Sequence, residues 1–101
     1  MKKPIPTKNE LRDAYLRKAY DGLTLDQWQK MYVIQHGKCA ICLRPPKVKP
    51  LEVDHDHQTG RVRGLLCFTC NHRLLGRGLE HAWLHQKAVY YLNSQFDARY
   101  L

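Results

Sequence analysis

The chain has 101 residues, with 17 Lys and Arg against 9 Asp and Glu, a formal charge of +8 at neutral pH. A chain of this length buries roughly 60 to 70% of the surface its unfolded form exposes, so a large core is excluded. No apolar run approaches the ~20 residues of a membrane span, and an excess of positive charge spread along the whole chain points to a polyanion, above all nucleic acid.

The opening MKKPIPTKNELRD carries two lysines, but Pro4, Thr7, Lys8, Asn9 and Glu10 interrupt any apolar core of a signal peptide. The cytoplasm is therefore expected, where CxxC pairs read as metal ligands rather than disulfides. Residues 9 to 20 predict a helix with Asn9 as N-cap and Leu11, Tyr15, Leu16 and Ala19 on one face, ended by Asp21-Gly22. Residues 24 to 36 predict a second helix. It opens on a Thr24/Gln27 capping box, turns Leu25, Trp28, Met31 and Tyr32 or Ile34 inward, and stops at Gly37.

Cys39 and Cys42, then Cys67 and Cys70, form two CxxC pairs separated by a loop and a hairpin. Two such pairs close a tetrahedral zinc site, and a shell of four sulfurs has no open position, so this zinc is expected to be structural. Four thiolates and one divalent ion lower the net charge by two, to +6, which is still basic. Between the pairs, Pro45, Pro46 and Pro50 forbid a regular helix over 43–50. LEVDH and RVRGLL predict two short strands joined by DHQTG, with Thr59-Gly60 as turn residues. Alternation would place Leu51, Val53, His55 and His57 on one face and Glu52, Asp54 and Asp56 on the other. A helix is expected from about Cys70 or Asn71. Residues 79 to 95 predict a last helix, with Leu79, Ala82, Trp83, Val89, Tyr90 and Leu92 packed inward. The residues alone leave three readings of DHDH open: a solvated turn, a His-x-His site for a second zinc, or a catalytic cluster.

The run VDHDHQTGRVRGLLCFTCNHRLLG, with Asp54-His55-Asp56-His57, Gly60, Val62 to Cys67 and Cys70-Asn71, resembles the recombination endonuclease VII family, a zinc-framed branch of the HNH or ββα-metal phage nucleases. The resemblance covers residues 38 to 76 well and the flanking helices loosely. It implies an α+β fold, a small helical domain around a ββα-metal hairpin-helix motif with a four-cysteine zinc site. One domain over 1–101 is expected, with N-terminal helices over 9–36, the zinc and ββα core over 38–76 and the C-terminal helix over 79–95.

The resemblance also implies a metal-dependent DNA endonuclease. Asp54 and Asn71 would hold one catalytic Mg²⁺ or Mn²⁺, and His55 would be the general base. His57 would contact phosphate, orient the site or make a structural hydrogen bond. Arg61, Arg63 and Arg73 are candidate phosphate contacts. The products would carry 3′-hydroxyl and 5′-phosphate ends. Double-stranded or branched DNA is the implied partner, a homodimer is an open option, and the enzyme would be a junction resolvase or a nicking nuclease in phage DNA processing. The alternative is a zinc-stabilised DNA-binding module without catalysis. Two tensions accompany these assignments. Adjacent strand residues face opposite ways, so Asp54 and His55 can share a phosphate only where the backbone is irregular. The family's pattern also has an acidic residue soon after the asparagine, whereas here no carboxylate follows Asn71 until Glu80.

Overall fold

The computed structural model describes residues 4–76 and 82–101. Helix α1 spans Lys8–Ala19 and begins earlier than its sequence pattern suggests, because Thr7 rather than Asn9 is the N-cap: its side chain accepts from the Glu10 amide. Of the expected apolar face only Leu16 is buried, whereas Leu11 and Tyr15 are 58% and 64% exposed. Among the described residues α1 packs chiefly against α2, which covers only a narrow stripe of it.

Helix α2 spans Leu25–Ile34, and its Thr24/Gln27 capping box is fully formed. Asp13 on α1 accepts from the Leu25 amide at 2.7 Å and so ties the two helices together at this start. That bond lowers the Asp13 pKa, as an anion receiving a backbone donor should. Leu25 and Met31 turn inward, while Tyr32 and Ile34 stay exposed. Trp28 is partly buried, stacked on Tyr32 and covered by the Arg12 guanidinium. His36 and Gly37 then take left-handed φ values of 55° and 67° and turn the chain into Cys39.

Residues 43–50 contain no helix or strand. Strands β1 (Glu52–His55) and β2 (Val62–Leu66) pair antiparallel as a hairpin, closed by Asp56, whose carboxylate accepts from the Gln58 and Thr59 amides. A seven-residue π-helix, Thr69–Leu75, follows, then α3 over Ala82–Asn93 and a 3₁₀ turn over Ala98–Tyr100. The result is a small α+β arrangement in which helices surround a two-stranded sheet. No described helix is long and apolar enough to cross a membrane.

The inward face of α3 differs from the expected one. Leu84 and Ala88 are buried and Tyr91 packs against the core, whereas Trp83, Val89 and Tyr90 are largely exposed and Leu92 is partly so. The apolar residues of this helix run around most of its circumference, so spacing alone does not choose a face. The choice is made by β2: Gly64 lets Tyr91 lie across the strand, since a Cβ there would sit 3.0 Å from the tyrosine ring. Leu79 and the first residues of the expected helix lie outside the described residues.

The core joins Leu16, Leu23, Met31, Ile41, Val62, Leu65, Leu66 and Leu84 to the cysteines. Burying each aliphatic side chain contributes about 1.5 to 3 kcal/mol. Gln35 acts as a substitute strand: its amide nitrogen donates to the Leu65 carbonyl and its oxygen accepts from the Leu65 amide. The far end of the chain is pinned by Asp97, which accepts from the Val62 amide and holds Arg99, while Arg99 also reaches Asp21.

Burial pushes the Asp97 carboxyl up, but the Arg99 and Val62 hydrogen bonds outweigh it and leave its pKa lowered. Such a group stabilises the fold above its ordinary value of 3.8, and the contribution is lost as pH falls through the lowered folded-state pKa. Asp97→Ala should therefore lose about 1 to 3 kcal/mol at neutral pH. Urea unfolding of both proteins should show the gap closing below the ordinary carboxylate value, and a constant gap would mean that the charge of Asp97 is not what stabilises the fold.

Candidate functional site

The four cysteine sulfurs all lie within 4.8 Å of one another. Sulfurs on a tetrahedral zinc at ~2.3 Å are about 3.8 Å apart, and the Cys42 and Cys67 sulfurs are 3.9 Å apart. Each knuckle is further shaped by an amide donating to sulfur, Ile41 to Cys39 and Cys70 to Cys67. The set fits a structural zinc ion.

The sulfurs' electrostatics agree with this. Burial pushes the Cys39 and Cys70 thiols up, and for Cys70 the charge of Cys39 adds to it. Cys42 is also raised by burial, but hydrogen bonds from the Arg44 backbone and side chain outweigh that and bring it down to about 7. Four sulfurs this close can all be anionic only around a cation.

Asp54 comes from the centre of β1 and is only 6% exposed. A carboxylate so buried must be paired, and the hairpin supplies the partner through a bulge. Asp54 pairs with Gly64 but His55 pairs with Val62, so Arg63 is an extra residue on β2. Its guanidinium forks onto Asp54, with Nε to Oδ2 at 2.7 Å and Nη2 to Oδ1 at 3.0 Å, and also reaches the His55 carbonyl at 3.4 Å. Tyr91 on α3 donates its hydroxyl to Oδ2 at 2.8 Å. Burial raises the Tyr91 pKa, and the adjacent Asp54 charge raises it further, so the hydroxyl remains a donor. These three bonds use three of the roughly four lone-pair sites of the carboxylate, and the remaining one is on Oδ1.

The irregularity expected near His55 is present as a shift in pairing register, with the extra residue on the partner strand rather than on β1. The His55 ring meets the Tyr20 ring edge-on at 5.3 Å between centroids, and the His57 ring at 4.5 Å. His57 is exposed. Asp56 is the turn-forming residue of the hairpin, where the Gln58 and Thr59 amides lower its pKa.

Asn71 directly follows Cys70 in the π-helix, a winding often found at functional sites. Its Nδ2 donates to Glu52 Oε1 at 3.4 Å, and His72 Nε2 lies 2.9 Å from that same oxygen. The amide oxygen of Asn71 is thereby turned away from Glu52. Asp54 and Asn71 are not hydrogen-bonded to each other. They are linked through β1, where Glu52 and Asp54 project from the same face. Both offer hard oxygen donors of the kind Mg²⁺ and Mn²⁺ take. A hollow of about 400 Å³ is lined by Asn71, His72, Arg73, Phe68 and Gly76.

The three arginines differ in placement. Arg73 is exposed in the lining of that hollow. Arg61 donates to the Leu92 carbonyl on α3, and Arg63 is committed to Asp54. Sequence reasoning misses Glu52 and Tyr91 as members of this cluster. Glu52 sits two residues before Asp54, a spacing that could flag it, but no sequence signal marks Tyr91. Glu80 lies outside the described residues.

The model of the family described as recombination endonuclease VII matches residues 13–94. The chain is also 46% identical over 72 residues to the Gene 59 proteins of Mycobacterium phage D29 and Mycobacterium phage L5. That stretch is 70% of this chain and 44% of each relative, so the chain matches less than half of their length. No solved structure matches it.

Purified chain should carry one zinc per molecule by elemental analysis, and Cys39→Ser should lose it together with cooperative unfolding. Retention of full zinc and a wild-type melting profile by that variant would rule out the four-sulfur site.

Proposed function

Because the chain belongs to the recombination endonuclease VII family, we propose that it is a metal-dependent DNA endonuclease of the HNH type, acting as one unit over residues 1–101. The observation that carries this reading is the shift in register between Asp54 and His55. It sets Arg63, the extra residue of β2, against this step, so that its guanidinium reaches the Asp54 carboxylate while His55 stands at the end of β1.

Asp54, through its remaining Oδ1 lone pair, and Asn71, through its amide oxygen, would hold Mg²⁺ or Mn²⁺. When bound, that ion supplies charge stabilisation to the phosphate and the departing 3′ oxygen. His55 takes the proton of the attacking water, since histidine is the side chain suited to proton transfer near neutral pH. Tyr20 and His57 pack against its ring and fix its orientation. Arg63 and Tyr91 hold the Asp54 carboxylate in one rotamer. Glu52 fixes which end of the Asn71 amide faces the ion, which is the kind of outer support that orients a ligand. It takes up part of the role of the carboxylate missing after Asn71.

Arg73, and Arg61 where it leaves Leu92, contact DNA phosphates, which position the duplex without reading its sequence. The ends produced carry a 3′-hydroxyl and a 5′-phosphate. Branched junctions and nicked duplex are the two substrate classes to compare, as monomer and as dimer, in the cytoplasm of an infected cell.

The three hydrogen bonds on Asp54 favour one competing reading, a zinc-stabilised DNA-binding module in which that carboxylate is purely structural. The two readings separate on cleavage of plasmid, linear duplex and four-way junction with Mg²⁺ or Mn²⁺. DNA retardation without cleavage in either metal would establish the binding module.

His55→Ala should slow cleavage by about 10²- to 10⁴-fold with zinc content and fold unchanged; a wild-type rate would remove His55 from the mechanism. Glu52→Ala should weaken Mn²⁺ binding, measured by titration of the zinc-loaded chain, by roughly 10- to 100-fold. Glu52→Gln, which keeps an acceptor for the Asn71 amide, should recover most of that affinity. Equal affinities for Glu52→Ala and wild type would leave Glu52 with no part in orienting Asn71.

A further inference from the structure

Asn71 and His72 are neighbours in the π-helix, and neighbours on a helix ordinarily point apart. Here one oxygen draws them together. Glu52 Oε1 lies 3.4 Å from Asn71 Nδ2 and 2.9 Å from His72 Nε2, and both residues line the same hollow of about 400 Å³. The proposed chemistry gives a part to Asn71 and to Glu52 but none to His72.

The His72 ring is held from two directions. Its face stacks on Phe68, with centroids 4.5 Å apart and planes 30° apart, and its Nε2 edge meets Glu52. The side chain is 50% exposed, and an ion pair so placed contributes little to stability. Two restraints on one half-exposed ring are more than the fold requires.

An ionised carboxylate has no proton to give, so the proton shared by this pair belongs to Nε2. In the neutral ring the lone pair is then on Nδ1, on the side away from Glu52. A carboxylate on one ring nitrogen, with the other nitrogen left as a donor, is how metal-binding histidines are held: the carboxylate fixes the tautomer and the ring orientation and raises the basicity of the ligand. The same oxygen treats Asn71 in the same way, since Nδ2 on Glu52 leaves the amide oxygen as the end that can bind a cation. Glu52 therefore presents two donor atoms, one oxygen and one nitrogen, at one hollow.

We propose that His72 Nδ1 is a ligand of the divalent ion at this site, beside Asn71 and Asp54. The identity of the site rests on the nuclease reading above, whereas binding of the ion does not require cleavage. The consequence lies in the choice of ion. Carboxylate and amide oxygens suit Mg²⁺ and Mn²⁺ alike, but an imidazole nitrogen favours first-row transition ions. The set of Asp54, Asn71 and His72 thus selects a transition ion such as Mn²⁺ over Mg²⁺.

The test is pulsed EPR of Mn²⁺ bound to the zinc-loaded chain, which reads a directly coordinated nitrogen as a ¹⁴N coupling, together with displacement of that Mn²⁺ by Mg²⁺. Wild type should show the coupling, His72→Ala should lose it, and His55→Ala and His57→Ala should keep it. The Mg²⁺ concentration that displaces half of the bound Mn²⁺ should fall by roughly 10-fold in His72→Ala. His72 is half-exposed, and zinc content verifies that each variant is folded. No Mn²⁺ binding by wild type, bound Mn²⁺ without nitrogen coupling, a coupling that survives in His72→Ala, or unchanged competition by Mg²⁺ overturns the proposal. DNA cleavage by wild type is assayed in parallel with Mn²⁺. Its absence while the coupling is present defeats the nuclease reading alone, and cleavage without the coupling leaves that reading standing and removes His72 from the ligand set.

Discussion

A carboxylate taken out of water dictates much of what surrounds it. Asp54 has few ways to remain charged at 6% exposure, and each of its partners imposes a structural demand. Arg63 can fork onto it because β2 carries an extra residue opposite the Asp54–His55 step. Tyr91 can reach it because Gly64 leaves room for the ring. The bulge, the glycine and the docking of α3 are thus consequences of one desolvated charge. Removing Arg63 would leave that charge uncompensated, which is far costlier than losing a surface ion pair.

The cysteine frame acts on the same region from the other side. Cys39 and Cys42 precede the hairpin and Cys67 and Cys70 follow it, so bringing their sulfurs together closes the ends of β1 and β2 independently of the strands' own pairing. Asn71 inherits its position from Cys70 and its amide orientation from Glu52. The cysteine frame and the hairpin therefore meet at one residue, and rigidity in one is transmitted to the other.

Patterns that depend on neighbours in the chain are legible in the sequence. The capping box at Thr24, the proline loop, the two strands and the cysteine frame all follow from local spacing, and each is present. The need for irregular backbone at His55 also follows from strand geometry alone. Features set by distant chain segments are not legible in this way. The inward face of α3 depends on the fit of Tyr91 over Gly64, and among the described residues α1 buries Leu16 alone, where it packs against α2. Burial of Asp54 does not follow from alternation, which assigns it to the face opposite Val53, and its partners lie 9 and 37 residues away. The pairing of Glu52 with Asn71 crosses a 19-residue gap that no local pattern bridges.

The distance to Tyr91 also bears on the order in which the molecule is made. Synthesis places Asp54 near the middle of the chain, and Arg63 emerges shortly after it, but the tyrosine hydroxyl arrives only with α3. Until then the carboxylate has the arginine fork without its second donor, and the strand above Gly64 lacks its cover. A nascent chain that ends before residue 91 thus contains every residue of the DHDH run, the cysteine frame and Asn71, yet lacks the hydroxyl that donates to Asp54.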